Sequence, residues 1–301
     1  MSNYFLLPEY DSNDNIFSIS PNCGCSSCCK YCYIELKNFI KPKKNECSVH
    51  ETIQYIQSHP QYSSGSVFWV GTWGEIFPRN IELRNNGFLW VKLLLELGNP
   101  VIIITKASIS SDELISLASW QKYSGQLFIS ESISTFNLWK EIEPYADPPE
   151  TRIETLELAL QNNIKCGAFI SPFLKGITDV ELPQILKRIG DSGIHTIAIQ
   201  ALHMNDFLEE KMNNDIRLSN IIDKFRNREK TNWQEMKTDR YTVVADDLLE
   251  YKKRILELSK ENNISVCFHF KCMMAKLLGI KTNEISNIPA LCQNCGFCKT
   301  M

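Results

Sequence analysis

The chain of 301 residues contains no long apolar run, and nothing in it approaches the ~20 apolar residues of a transmembrane helix. It also has no excess of positive charge, because 32 Lys and Arg residues stand against 35 Asp and Glu residues, for a net charge of −3. The first absence predicts that the chain does not span a membrane. The second excludes the bulk positive field that draws proteins to nucleic acid or anionic lipid, although a local basic patch is still allowed.

The first residues lack a basic stretch followed by an apolar core, so we expect no secretory signal peptide. In a chain without such a signal, 12 cysteines indicate a reducing compartment and metal–thiolate chemistry rather than a disulfide framework. We therefore expect a cytoplasmic protein. Five of the cysteines lie between residues 23 and 32, and four lie between residues 272 and 298.

The first group contains Cys25, Cys29 and Cys32 in the spacing C-x3-C-x2-C. Three thiolates at this spacing can hold three irons of a [4Fe–4S] cube and leave the fourth iron open to a substrate or cofactor. The overlapping pairs Cys25/Cys28 and Cys29/Cys32 can also bind zinc, and a disulfide knot is a further interpretation. The rest of the chain favours the iron–sulfur interpretation.

Short apolar runs alternate with helical patterns along the chain. Runs that are β-branched or aromatic-rich and almost continuously apolar are typical of parallel strands covered on both faces. The predicted strands are Ile16–Ile19, Val67–Val70, Val101–Thr105, Leu127–Ile133, Ala168–Ile170 and Thr196–Ile199, and a last apolar run is Ile264–Phe270.

Helices are predicted between these strands. One covers Ile81–Leu97, another starts after Asp147 with two prolines in its first turn, and a long one covers about residues 246–262. A further helix begins with Thr178 as N-cap and Glu181 three residues later, the pattern of a capping box. Six βα units in series predict an α/β fold with an open or partial parallel barrel.

The chain divides into three predicted parts. They are an N-terminal segment over residues 1–15, the barrel over residues 16–270 and a Cys-rich module over residues 271–301. Residues 205–240 are polar and poorly periodic, which is compatible with an insertion that covers the substrate or with a surface excursion.

Every predicted strand ends in a polar or otherwise special residue. In parallel barrels the chemistry lies at the carboxyl ends of the strands, so six such residues in register favour one shared cavity. The strand ends are the cysteine loop, Gly71–Glu75, Thr105–Lys106, Ser130–Ser132, Ser171–Pro172 and Gln200.

The cysteine spacing, with aromatic Tyr31 just before the last Cys, resembles that of the radical SAM superfamily. The motifs that follow over residues 16–203 are similar to the spore photoproduct lyase-like branch, and their order is more specific than any one of them. They are Trp73-Gly74-Glu75, Ile104-Thr105-Lys106, Ser130-x-Ser132, Ile142-Glu143-Pro144, Arg152-Ile153-Glu154 and Ile170-Ser171-Pro172. The chain departs from spore photoproduct lyase in not being basic and in lacking a clear counterpart of that enzyme's hydrogen-donating Cys. Cys166 lies at the opposite end of its strand, as expected of a core thiol.

This resemblance implies a partial (β/α)6 radical SAM barrel and a [4Fe–4S] cluster that binds S-adenosylmethionine. One electron then cleaves the cofactor to methionine and a 5′-deoxyadenosyl radical, which abstracts hydrogen from a substrate. The resemblance implies catalytic and metal-binding roles for Cys25, Cys29 and Cys32. The expected cofactor-binding residues are Tyr31, Gly74 and Glu75 (amino group), Lys106 (carboxylate), Ser132 (ribose or methionine part), Arg152, Ser171 (adenine side) and Gln200. For Arg152 two interpretations stay open: it orients the site together with Glu143, or it lies on the helix surface.

The second cysteine group is Cys292-x2-Cys295-x2-Cys298, with Cys272 upstream as the expected fourth ligand. We expect a second, auxiliary [4Fe–4S] cluster there, and a structural zinc site with four Cys ligands is the alternative. Similar C-terminal clusters are a feature of radical SAM enzymes that modify peptides.

The substrate expected from this combination is a ribosomally synthesised peptide, in which a maturase or splicease-type reaction makes or breaks C–C or C–N bonds. The alternatives are repair or modification of nucleic acid, as in spore photoproduct lyase, and small-molecule lyase or dehydrogenase chemistry. The expected partners are a flavodoxin- or ferredoxin-type reductant and a separate protein that recognises the peptide leader. Lys37, Lys41, Lys43 and Lys44 are either a docking site for an acidic reductant or leader peptide, or a solvated face.

Overall fold

A computed structural model describes residues 6–12, 14–32, 34, 41–204, 206–215, 218–219, 234–235, 241–242 and 245–279. The strands are β1 (Glu9–Asp11), β2 (Ile16–Ile19), β3 (Asn22–Cys23), β4 (Lys43–Lys44), β5 (Val67–Val70), β6 (Val101–Thr105), β7 (Leu127–Ser132), β8 (Lys165–Phe173), β9 (Thr196–Ala201), β10 (His203–Met204), β11 (Gln234–Glu235), β12 (Tyr241–Thr242) and β13 (Ser265–Cys267). The helices are α1 (Val49–Ser58), α2 (Ile81–Leu95), α3 (Ser111–Ser119), α4 (Trp139–Ile142), α5 (Pro149–Gln161), α6 (Thr178–Asp191), α7 (Asp206–Asn213), α8 (Ala245–Glu261) and α9 (Phe270–Leu278).

The main sheet has eight strands in the order β1-β2-β5-β6-β7-β8-β9-β13. All neighbours from β2 to β13 are parallel, and β1 pairs with β2 in the antiparallel direction at the edge. The six predicted strands are therefore confirmed in their order, and the last apolar run contributes a seventh parallel strand, β13. β10, β12 and β11 form a small separate sheet, and β3 pairs with β4.

Successive side chains of the strands alternate between two apolar layers, as the pleat of a sheet requires. On the outer face Phe68, Ile103 and Ile129 belong to a large core that also includes buried residues of α1, α2, α3, α5, α6 and α8. On the inner face Val67 and Ile102 belong to a second cluster, which includes α9. Because both faces are covered, the strands are almost continuously apolar, which explains why the sequence pattern identified them.

Helix α9 closes the inner face at the amino-terminal ends of the strands. Its Phe270 stacks on Trp69 with ring centroids 5.1 Å apart and lies 4.8 Å from the ring of Phe169. Gly167 in β8 allows this approach, because a Cβ there would lie 3.0 Å from the sulfur of Met273. The inner face therefore has an apolar floor at this end.

The capping box predicted at the start of α6 is wrong. Thr178 is the first helical residue, and no side chain caps the helix at Ile177. The Thr178 hydroxyl instead donates to the carbonyl of Ser134 at 2.6 Å and accepts the N–H of Leu174 at 2.9 Å. The Glu181 carboxylate turns to the preceding loop and accepts from the Thr135 hydroxyl at 2.8 Å. Tertiary partners have therefore replaced the local cap that this spacing favours.

The structure also bears on the predicted parts of the chain. Residues of the N-terminal segment form β1 and extend the main sheet, and α9 begins at Phe270. The division into three parts stays a prediction. Most of the Cys-rich module, from residue 280 onward, lies outside the described residues. Within the described ranges no helix combines the length and the apolarity that crossing a bilayer requires.

Candidate active site

The carboxyl ends of the parallel strands gather the residues that the sequence singled out. The cysteine loop follows β2, Glu75 follows β5 and Lys106 follows β6. Ser132, Ser171 and Gln200 lie in the last part of β7, β8 and β9. Because the strands are parallel and in register, these positions share one edge of the sheet, as predicted.

The cysteine loop is held to the rest of the site by backbone hydrogen bonds. Gly24 and Gly74 form a parallel bridge, and the Gly24 N–H donates to the Trp73 carbonyl at 2.9 Å. Within the loop the Cys32 N–H donates to the Cys29 carbonyl at 3.0 Å and so closes a turn between these two cysteines. The cysteine loop is thus fixed against the loop that follows β5.

Gly74 has a structural reason to be glycine. A Cβ at this position would lie 2.5 Å from the carbonyl oxygen of Asn22 and 2.7 Å from that of Gly24, so no side chain fits. The smallness of Gly74 therefore serves the contact between two protein loops, whereas the sequence had assigned it to the cofactor. Trp73 is buried and packs with Cys23, and its indole N–H donates to Glu9 at 3.3 Å.

The three thiols lie close enough to affect one another. Burial is the main reason why the pKa of the Cys29 thiol is well above its ordinary value. The charge of Lys106 opposes this shift, whereas the thiols of Cys32 and Cys25 add to it. Burial likewise raises the pKa of Cys25 to about 12, and the Ser27 N–H points at its sulfur from 3.4 Å. The loop therefore gathers three thiols next to one ammonium group.

Glu75 supports the residue that was expected to bind the cofactor carboxylate. Its carboxylate accepts hydrogen bonds from the Lys106 N–H at 3.1 Å, from the Phe77 N–H at 3.0 Å and from the hydroxyl of Thr105. With its oxygens used in this way, Glu75 fixes the backbone where β6 ends. The role that its contacts indicate is to position Lys106.

Lys106 directs its ammonium group toward the cysteine loop. The nitrogen lies 5.6 Å from the centroid of the Tyr31 ring, within the range of a cation–π contact. Burial alone would lower the pKa of Lys106, but the Glu143 carboxylate and the Cys29 thiol outweigh it, so the pKa is raised. Lys106 therefore stays cationic and can bind an anionic group at this edge of the sheet.

Tyr31, Glu143 and Arg152 form a buried network under the cysteine loop. The Arg152 guanidinium is fully buried and binds the Glu143 carboxylate at 2.6 Å, the Ser132 carbonyl at 2.7 Å and the Asp147 carbonyl at 2.7 Å. The Tyr31 hydroxyl donates to the other oxygen of Glu143. Of the two interpretations of Arg152, the structure supports the one in which it orients the site together with Glu143. Three of its N–H groups donate to these protein acceptors, so Arg152 holds the Glu143 carboxylate and two backbone carbonyls in place, and its contact with a cofactor stays a prediction.

Ser132 and Ser171 are linked to each other. The hydroxyls of Ser132 and Ser134 both donate to the Ser171 carbonyl, at 2.9 and 2.8 Å. Ser134 also lies 2.9 Å from the Tyr31 hydroxyl, which joins this pair to the Glu143 network. Sequence reasoning missed Ser134, although it continues the alternation of Ser130 and Ser132 by one more step. The oxygen of Ser132 keeps acceptor capacity toward a ligand.

Two further cysteines that the sequence singled out lie in apolar surroundings away from the cysteine loop. Cys272 belongs to α9, is 1% exposed and packs in the apolar floor of the inner face. Its proposed partners Cys292, Cys295 and Cys298 lie outside the described residues, so the auxiliary cluster stays a prediction. Cys166 is a core thiol as predicted, and burial raises its pKa to about 12.

Glu131 lies between the two serines of β7. Both of its carboxylate oxygens are buried and have no hydrogen-bond partner among the residues that the structure describes. Burial raises the pKa of this carboxyl well above its usual range, although the charge of Arg152 opposes the shift. By alternation it points to the outer face, away from the site.

The residues of the cysteine loop fit the [4Fe–4S] cluster that its spacing implies. Cys25, Cys29 and Cys32 are the available thiolates, the Ser27 N–H is aimed at one sulfur, and Lys106 supplies a positive charge. Among the residues that the structure describes, no three His, Cys, Asp or Glu side chains are gathered closely enough for one metal ion. A cube needs no such gathering, because each thiolate binds a different corner.

Comparisons with known proteins give relatives of low identity. No protein-family model matches the chain. An uncharacterized protein of Methanocaldococcus jannaschii is 27% identical over 173 residues, which are 55% of this chain and 63% of that protein. An uncharacterized protein of the Acidianus two-tailed virus is 22% identical over 230 residues, or 66% of this chain and 73% of the viral protein. The match thus spans less than two thirds of the archaeal relative.

Solved structures give the stronger likeness. A variant of spore photoproduct lyase with bound AdoMet and dinucleoside spore photoproduct superimposes with a TM-score of 0.63 at 12% identity, over 84% of this chain and 76% of the enzyme. Streptococcus suis SuiB bound to S-adenosylmethionine gives 0.54 at 13%, over 85% and 51%, respectively. Methylornithine synthase (PylB) gives 0.52 at 12%, over 83% and 63%. The chain has the fold of spore photoproduct lyase and other radical SAM enzymes, which confirms the predicted fold class.

Proposed function

We propose that the protein is a radical SAM enzyme. The observation that carries this proposal is the set of three thiols on one loop at the carboxyl end of the first parallel strand, next to the cationic Lys106. When bound at this loop, a [4Fe–4S] cluster and S-adenosylmethionine supply one electron and a 5′-deoxyadenosyl radical. The similarity to spore photoproduct lyase and SuiB, both solved with this cofactor, supports the proposal.

The residues of the chain divide the work of binding between them. Cys25, Cys29 and Cys32 hold the cluster, and Lys106 binds the carboxylate of the cofactor as a compact positive charge. Glu75 keeps the Lys106 backbone in place. The floor formed by α9 closes the other end of the inner face, so it limits water to one side of the site.

The network below the loop has a positioning role. Glu143 receives hydrogen bonds from Tyr31 and Arg152, and this keeps Tyr31 fixed between the second and third cysteine. The pKa of Glu143 is lowered, since the charges of Arg152 and Lys106 outweigh the effect of burial, so it stays ionised. The negative charge of Glu143 in turn helps to hold Lys106 cationic.

Anaerobic reconstitution followed by paramagnetic resonance tests the proposal. We expect about four irons per chain if the cysteine loop alone is loaded, and about eight if the C-terminal cysteines bind the second cluster. The signal of one reduced cluster should change on addition of S-adenosylmethionine, and a reductant of the flavodoxin or ferredoxin type should give 5′-deoxyadenosine. About four irons together with one zinc would assign zinc to the C-terminal cysteines. Absence of iron after reconstitution would contradict the proposal.

For the substrate we propose a ribosomally synthesised peptide, presented with the help of a separate leader-recognition protein. The compact Cys292-x2-Cys295-x2-Cys298 pattern and the net charge of −3 support this choice. The second candidate is a nucleic acid. The likeness to spore photoproduct lyase, which was solved with a dinucleoside spore photoproduct, favours it.

Salt dependence of binding separates the two candidates. A random single-stranded DNA oligonucleotide bound through six or more phosphates should lose affinity by about 300-fold or more between 50 and 200 mM salt. We expect no such binding. The oligonucleotide should show no measurable binding at either salt concentration. Peptides encoded beside the gene should gain or lose mass when the protein is incubated with them and S-adenosylmethionine. Tight binding of DNA with a steep salt dependence would replace the peptide by a nucleic acid.

A further inference from the structure

Helix α7 packs on the cysteine loop although some 180 residues separate them in the chain. Leu208 and Met212 of α7 are buried and share one apolar cluster with Cys29 and Tyr31. This helix begins the polar region for which the sequence left open a substrate cover or a surface excursion. In the part that the structure describes, its apolar side covers the loop that carries the thiols.

A polar contact at the same place is more specific. The Lys211 ammonium lies 3.5 Å from the carbonyl oxygen of Cys29 and 3.5 Å from that of Cys32. The Cys29 carbonyl also accepts the Cys32 N–H, so Lys211 binds both ends of one turn. In addition, an ion pair between Lys30 in this turn and Asp215 after the helix links the two segments.

The chemistry of lysine suits this position. An ammonium group has three donors and can serve two carbonyls at once. A movement that separates the two carbonyls weakens one of these contacts, so Lys211 favours the conformation of the turn that holds Cys29 and Cys32 together. Its charge also lies beside the loop, and a positive charge favours the reduced state of a cluster bound there.

We propose that α7 is a clamp on the cysteine loop and that Lys211 is its positioning residue, which holds the turn from Cys29 to Cys32 in its cluster-binding shape. The proposal rests on the proposed function, because it assumes that this turn holds a cluster. It assigns a role to the region after β9 that neither the sequence pattern nor the comparisons provide.

The first test uses the full-length chain before reconstitution. Cys29 is 5% exposed, whereas its neighbour Cys28 is exposed and serves as an internal reference. In Lys211→Met, alkylation of Cys29 by iodoacetamide should become about tenfold faster relative to Cys28, because a hydrogen bond to a charged group is lost. Lys211→Arg should keep most of the protection. Lys187→Met, which removes an exposed lysine of α6, should leave the ratio unchanged.

The second test uses the reconstituted protein. At a fixed solution potential, Lys211→Met should show a reduced-to-oxidised ratio of the cluster about three- to tenfold lower than wild type, with iron content retained. Lys211→Arg should stay within about twofold, since it keeps the charge. If Lys211→Met takes up no iron, the alkylation ratio still decides about the clamp.

The outcomes separate the two proposals. Equal alkylation ratios in Lys211→Met and wild type would overturn the clamp, whatever the iron content. Faster alkylation with an unchanged reduced fraction would overturn the electrostatic part. If Cys29 is alkylated faster in Lys211→Met but the wild-type protein binds no iron on reconstitution, the clamp on the loop is supported. The cluster, and therefore the proposed function, is then contradicted.

Discussion

The two ends of the inner face of the sheet differ although the same strands build both. At the amino-terminal end Phe270 and Met273 of α9 fill the space between strands. At the carboxyl end the cysteine loop brings its thiols next to Lys106, and the Ser132 hydroxyl donates to the Ser171 carbonyl. One strand therefore supplies packing side chains near its amino-terminal end and polar side chains for the site near its carboxyl end. The position of a residue along the strand decides which of these two roles its side chain has.

Replacing one cysteine of the loop and one cysteine of the outer-face core separates chemistry from packing most directly. Cys29→Ala should reduce the iron of the cysteine loop to background and abolish formation of 5′-deoxyadenosine, because it removes a thiolate of the site. Cys166→Ala, at the start of β8, should keep both iron and activity and cost about 1 kcal/mol in the free energy of unfolding. Iron analysis and product chromatography measure the effect. Wild-type activity in Cys29→Ala would refute the assignment of the loop.

The buried network at the carboxyl end should also control stability. Arg152→Met leaves the Glu143 carboxylate buried without its partner, which should cost about 3–5 kcal/mol in urea unfolding. The matched control is Arg188→Met, whose partners Glu150 and Glu157 are partly exposed and whose loss should cost about 1 kcal/mol or less. The double change Arg152→Met with Glu143→Gln should recover part of the loss. Equal effects of Arg152→Met and Arg188→Met would show that the network is not a structural centre.

The floor should affect stability without affecting the cofactor. Phe270→Ala removes an aromatic side chain that contacts Trp69 and Phe169, and we expect a loss of about 3 kcal/mol. This is near the low end for such a change, because the flexible Met273 and Met274 can fill part of the cavity. Calorimetric titration with S-adenosylmethionine should give an affinity within about twofold of wild type. A large loss of affinity would mean that floor and site are not independent.

Two serines of β7 give the finest test, since they lie on the same face two residues apart. Ser130 donates to the Gly167 carbonyl at 3.0 Å, and Ser132 to the Ser171 carbonyl at 2.9 Å. Each Ser→Ala change should cost about 1 kcal/mol of stability. Only Ser132→Ala should weaken S-adenosylmethionine, by about five- to tenfold, as measured by calorimetric titration. Equal affinities of the two variants for S-adenosylmethionine would mean that Ser132, like Ser130, has no contact with the cofactor.

Much of the fold was predictable because its signals are local. Continuous apolar runs identified the strands, and Pro149 in the first turn of α5 marked a helix start. The prediction failed at Thr178 and Glu181, whose spacing fits a capping box. Their side chains found partners in the loop after β7 instead. A sequence motif within one helix holds no information about a competing partner some 45 residues away in the chain.

The candidate site was predictable only in part, for the same reason. The cysteine spacing and the strand-end positions of Lys106 and Ser132 are visible in the sequence. The pairing of Arg152 with Glu143 was one of two interpretations, and the sequence could not choose between them, since nothing in a helical first turn tells whether an Arg faces solvent. The use of Gly74 for loop packing and the contact of Lys211 with the cysteine turn are equally invisible.

The sequence by itself therefore determined the alternation of strands and helices, the positions of the thiols and the edge at which polar residues collect, because periodicity and spacing are properties of neighbouring residues. The tertiary structure alone decided which polar groups are paired and which charges are buried. It also decided which distant helix covers the cysteine loop. These depend on the distances between segments far apart in the chain. They also depend on the free-energy cost of burying a charge or a donor, which is reduced where another segment supplies a partner.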